Sequence, residues 1–93
     1  MPELSHVFRK RPEVSVRQTP KGALLVDLAT GRCWQLNRLG ADFLAQIETE
    51  RSLGDACEAL GIRYDVAREV LERDLSRLTE ELLGAALIER VGR

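Results

Sequence analysis

Few side chains in this sequence could take part in covalent chemistry. The candidates are Cys33, Cys57 and His6. A cysteine nucleophile needs a base beside it, and His6 is the one histidine available. It stands near the start of the chain, in a stretch without periodicity. A metal site needs several ligands converging on one point. Here the two cysteines lie 24 positions apart with no C-x-x-C spacing. Neither G-x-x-x-x-G-K-[ST] nor G-x-G-x-x-G occurs, so no phosphate-cradling glycine loop is expected. The adjacent carboxylates Glu80 and Glu81 are explained by a solvated helix face. No catalysis, no metal and no cofactor are therefore expected, and the chain reads as a binding or structural module.

The chemistry left over is that of the backbone. The stretch "GRCWQLN", Gly31 to Asn37, holds the single tryptophan, Trp34. It reads as a short strand that stops at an asparagine suited to capping a helix. Alternation places Arg32, Trp34 and Leu36 on one face and Cys33 and Gln35 on the other. Trp34 suits either core packing or the wall of a groove. A strand here needs a neighbour on each side, and the elements around it decide whether it has two.

Two strands precede it. "EVSVRQT", from Glu13, alternates with Val14 and Val16 on one face. "TPKG" then makes a tight turn. "GALLVDL", Gly22 to Leu28, is apolar at nearly every position, as a central strand should be. "ATG" turns the chain into "RCWQL". Three short strands joined by tight turns make a meander, so the third is an edge. It has no proline and no central charge, the usual devices that blunt an edge. An open edge of this kind accepts an extended peptide by strand addition. A homodimer, a domain swap or the N-terminal segment could equally cover it.

After Asn37 the period changes from two to 3.6. Leu39, Phe43, Leu44 and Ile47 form the apolar face of a first helix. Ser52 to Gly61 reads as a second, with Leu53, Ala56, Cys57 and Leu60 inward and Gly61 as its stop. A third runs from a cap at Asp65 to about Leu83. Leu71, Leu75, Leu78 and Leu82 are its core stripe, with Val66, Val70, Arg73 and Arg77 on an adjacent stripe bordered by Asp74. Leu87, Ile88 and Val91 form an apolar tail that should fold back. The predicted fold class is α+β, winged-helix-like, a three-stranded antiparallel meander followed by three helices. Residues 1–12, with Arg9, Lys10 and Arg11, read as a flexible N-terminal arm, and residues 13–93 as a single recognition domain.

Composition narrows the partners. The 93 residues carry 14 Lys plus Arg against 15 Asp plus Glu, a formal charge of −1. That balance gives no bulk attraction to nucleic acid or to an anionic membrane. No apolar run approaches the ~20 residues that span a bilayer, and no signal-peptide core precedes the first strand. A cytoplasmic protein with reduced thiols is expected. The winged-helix order raises DNA binding as an alternative, alongside a small protein-interaction or dimerisation module. The third helix would be the recognition helix. It holds Asp65, Glu69, Glu72, Asp74, Glu80 and Glu81 against Arg68, Arg73 and Arg77, and an acidic helix is poorly suited to phosphates.

Three motifs in order carry a family resemblance. They are Trp34-Gln35-Leu36-Asn37, then Gly40-Ala41, then Asp74-Leu75 continuing through Leu78 and Leu82. Across residues 13 to 91 the chain resembles the PqqD-like family, the leader-peptide recognition elements of ribosomally made, post-translationally modified peptides (RiPPs). It looks most like the stand-alone proteins of lasso-peptide clusters. Cys33 departs from the pattern, since relatives often carry an aromatic residue there. The resemblance implies that the leader of a precursor peptide adds as an antiparallel strand to the third strand, with the third helix as the other wall. The backbone of Arg32, Cys33, Trp34, Gln35 and Leu36 would pair with it. Val66, Val70 and the stems of Arg73 and Arg77 would form the helix wall, and Asp74 would pair within the helix or accept from the leader. The leader would be of Tyr-x-x-Pro type, presented to a separate leader peptidase. The protein would cut nothing and act as a monomer, a domain swap being the alternative.

Overall fold

The structure, a computed structural model, describes residues 3–92. Among these residues, five strands and three helices follow in the order β1 (Phe8–Lys10), β2 (Val14–Thr19), β3 (Gly22–Asp27), β4 (Cys33–Asn37), α1 (Arg38–Ile47), α2 (Leu53–Tyr64), α3 (Arg68–Gly84) and β5 (Ile88–Arg90). The predicted α+β, winged-helix-like architecture is present: an antiparallel meander, β2-β3-β4, followed by three helices.

The meander follows from its residues. Val14 and Leu25 face inward and are buried, and Leu36 completes that face from β4. Thr19 pairs with Gly22 across a turn made by Pro20 and Lys21. Gly22 has φ +154, and a Cβ there would stand 2.0 Å from the carbonyl oxygen of Leu36. Only glycine lets the turn sit this close to the end of β4. The strand β3 stops at Asp27, one residue short of the sequence-predicted end. The Asp27 carboxylate accepts from the amide of Ala29 at 2.9 Å, a local bond that favours a turn over the ladder. Leu28 consequently lies in the loop, 69% exposed.

The expectation of a flexible arm through residue 12 fails at Phe8–Lys10. This segment is β1 and pairs antiparallel with β5, with Phe8 opposite Arg90 and Lys10 opposite Ile88. Phe8 and Ile88 are both buried in the core. The sequence signal was missed because a three-residue strand with one buried aromatic shows no periodicity. Residues 1 and 2 lie outside the described residues.

Asn37 caps α1 as expected, its side chain accepting from the amide of Gly40 at 2.8 Å. Ser52 caps α2 by accepting from the amide of Asp55. The boundary between α2 and α3 corrects the sequence reading. Gly61 does not stop α2, which continues to Tyr64. A Cβ at Gly61 would make only ordinary contacts, 3.4 Å from the Val66 carbonyl oxygen and 3.5 Å from a Leu71 methyl, so this position is an unexceptional interior residue of the helix. Asp65 ends α2 in the left-handed conformation, φ 53, instead of capping α3. Aspartate tolerates that conformation well. The residue before α3 is Ala67, which gives no side-chain cap. Leu71, Leu75 and Leu82 of α3 join Phe43, Leu44, Ile47, Leu53 and Leu60 in one core.

Candidate functional site: an open strand edge beside a groove

The strand order leaves β4 at one end of the sheet. Which of its backbone groups are free follows from two hydrogen bonds. The Asp27 amide donates to the Arg32 carbonyl at 2.8 Å, and the Leu28 amide donates to the Glu13 carbonyl at 2.9 Å. In an antiparallel ladder, successive residues turn their backbone groups to opposite sides. Odd-numbered residues of β3 therefore face β4. Trp34 lies opposite Leu25 and Leu36 opposite Ala23, so their N–H and C=O groups serve the sheet. Cys33 and Gln35 turn theirs outward, and no described strand pairs with them.

Beside this edge lies a groove of about 310 Å³ between the end of β4, the start of α1 and the middle of α3. Leu36, Leu39, Leu75 and Leu78 supply apolar surface, and Asp74, Arg77 and Glu81 supply its charged side. A cavity of this size accommodates an aromatic side chain. An opening of about 290 Å³ adjoins it, lined by Lys21, Gln35, Leu36 and Asn37.

The predicted site residues distribute unevenly. Gln35, Leu36, Asp74 and Arg77 line the groove. Cys33 is exposed, with its thiol directed at the Gly31 carbonyl. Trp34 is half-buried on the inner face and packs against the core. The Arg32 guanidinium lies over its ring, 4.9 Å from the centroid, a cation–π contact worth about 0.5–1 kcal/mol at an exposed site. Arg73 turns to Asp74 at 3.7 Å. Arg77 makes no ion pair among the described residues.

Val66 and Val70 do not line the groove, although both are exposed. Val66 precedes the first residue of α3 and so cannot lie on that helix's face. Sequence reasoning missed Asn37, Leu39, Gly40, Leu75, Leu78 and Glu81. The signal was available on α3: positions 74, 77, 78 and 81 share a face at spacings of three, four and seven. Leu78 was placed in the core stripe, and it is half-buried at the border between core and groove.

The groups considered for catalysis do not assemble. Cys57 is fully buried, and burial is the main cause that pushes its thiol up to about 11. His6 faces Glu3 at 3.2 Å and lies edge-on to Phe8. Among the described residues no cluster of three His, Cys, Asp or Glu side chains is placed to hold a metal. Among the described residues no helix is long and apolar enough to cross a membrane.

The model of the family described as coenzyme PQQ synthesis protein D (PqqD) matches residues 22–88. The chain belongs to the PqqD family. The match runs from the start of β3 to β5 and so contains the open edge, the groove and all three helices of this PqqD-like domain. A solved structure described as lasso peptide synthetase B1 complexed with the leader peptide is similar, with 35% identity and a TM-score of 0.81. The alignment covers 88% of this chain and 96% of that one. A second, TbiB1 in complex with the TbiA(beta) leader peptide, has 23% identity and a TM-score of 0.80 over 87% of this chain and 94% of that one. At that identity it speaks for the PqqD-like fold alone. No curated protein matches.

Proposed function

We propose that this PqqD-like domain is a RiPP recognition element of lasso-peptide biosynthesis. It captures the leader of a precursor peptide as an added antiparallel strand on β4 and presents it to a separate leader peptidase. The observation that carries this reading is the unpaired edge of β4, with the Cys33 and Gln35 backbone groups outward, beside an apolar groove under α3. Main-chain hydrogen bonds to the edge supply affinity, and side chains entering the groove supply selection. The leader-bound relative at 35% identity supports the same reading.

In this arrangement Arg32, Cys33, Trp34, Gln35 and Leu36 form the pairing strand. Asp74, Arg77 and Leu78 form the near wall, while Val70 and Arg73 extend it toward the start of α3. The domain itself breaks no bond.

Titration calorimetry with a synthetic leader peptide carrying Tyr-x-x-Pro tests this. Binding at micromolar affinity or tighter is expected, about −8 kcal/mol or better. Amide hydrogen exchange should slow at Cys33 and Gln35 on binding. Absence of heat, with unchanged exchange at both amides, would refute strand addition at this edge.

A further inference from the structure

The open edge has two ends of different character. An added antiparallel strand begins where β4 ends, at Asn37, and leaves where β4 begins, at Cys33. The β2–β3 turn flanks the Asn37 end from the β3 side, since Gly22 lies opposite Asn37. Lys21 at the tip of that turn lines the opening at this end together with Gln35, Leu36 and Asn37. No carboxylate lines it among the described residues. A second cation is held against the same tip, where the Arg38 guanidinium donates to the Pro20 carbonyl at 3.2 Å. The nearby carboxylate of Asp42 is already engaged, accepting from the Tyr64 hydroxyl and facing Arg63 at 3.8 Å. The adjoining groove, which shares Gln35, Leu36 and Asn37 with this opening, carries Asp74 and Glu81 against Arg77, so the cations are confined to the turn side of this end.

We infer that the site selects leaders with acidic residues immediately N-terminal to the segment paired with β4, read by Lys21 with Arg38 behind it. The inference rests on the strand-addition reading proposed above and names the class of leader it takes. Direction does the selecting. An antiparallel partner enters past the cationic turn, and a carboxylate on that incoming stretch meets the Lys21 ammonium, whereas a basic stretch meets like charge.

The test uses three C-terminally labelled synthetic leaders identical from the Tyr-x-x-Pro motif onward. The three residues preceding the tyrosine are Asp, Asn or Lys. Fluorescence anisotropy with the full chain at low salt should rank them Asp, then Asn, then Lys, with roughly fivefold between the extremes, as expected for an exposed charge pair. Lys21→Glu should reverse the order, and Lys21→Gln should narrow it. Raising the salt to about 0.5 M should collapse the differences by screening. If the three probes bind alike, or if the order survives Lys21→Glu, the charge reading is overturned and strand addition stands. If none binds, both fall.

Discussion

The outward amide of Gln35 offers the sharpest test of the edge. Gln35→Pro removes that N–H and nothing that the sheet uses. The ladder alternation assigns the inward bonds to Trp34 and Leu36, not to Gln35. The Gln35 side chain is exposed, and the residue before it, Trp34, is already in the extended conformation that precedes proline comfortably. Proline is tolerated on an edge strand at just this kind of position, so the fold should lose less than about 1 kcal/mol. Binding should suffer more. One ladder bond is lost, worth about 0.5–1.5 kcal/mol, and a leader carbonyl is left unpaired at about 1–3 kcal/mol. Together these amount to about 1.5–4.5 kcal/mol, an expected loss of about tenfold to a thousandfold or more in affinity. Gln35→Ala keeps the N–H and should bind within about threefold of wild type, which separates the backbone from the side chain. Calorimetric titration with the leader and a thermal melt of each variant make the measurement. A folded Gln35→Pro that binds like Gln35→Ala would refute the assignment of this amide to the leader.

Four further outcomes follow from the structure. Phe8→Ala should destabilise by about 3–5 kcal/mol, because Phe8 is buried in the core through β1. An unchanged melting temperature would return residues 8–10 to the status of a dispensable arm. Val70→Glu should leave the melt almost unchanged, since Val70 is exposed, and should weaken leader binding if the docked peptide runs toward the start of α3. Equal affinity would confine the contact to Asp74, Arg77 and Leu78. Cys33 should react with a thiol reagent at once and Cys57 only on unfolding, followed by absorbance at neutral pH. Burial raises the Cys57 pKa from 9.0 to about 11. A raised folded-state pKa contributes stability that is complete below the unfolded value and lost as pH climbs through the folded one. Denaturant titrations should therefore show a Cys57-dependent fall in stability between about pH 9 and 11, abolished in Cys57→Ala.

Much of the fold was legible because periodicity reports burial directly. The inward positions of α1 and α2 and the order of the meander came from spacing alone, and Asn37 and Ser52 cap as their side-chain chemistry requires. The errors fall where local pattern is silent. Asp65 looks like a cap, but its side-chain chemistry suits a left-handed residue equally, and only packing chooses between them. Gly61 looks like a stop, yet α2 runs through it to Tyr64. Phe8 has no periodic neighbours, and its partner β5 lies at the far end of the chain.

The site divides along the same line. The edge of β4 was legible, because a meander has two edges and the third strand carried no device to blunt its own. The groove was only half legible. Asp74 and Arg77 were singled out, but Val66 was assigned to a helix that begins two residues later. The sequence by itself determined that the chain forms a small α+β module with an unguarded strand and an acidic third helix, since composition, alternation and helical spacing are local properties. The tertiary structure alone decided what that strand presents at its open edge. Which backbone groups face outward depends on register with β3. Which residues of α3 overhang them depends on helix rotation, and the cation at the strand's end depends on a turn folded back to Asn37. Each is a relation between segments distant in sequence, set by packing that no single segment encodes.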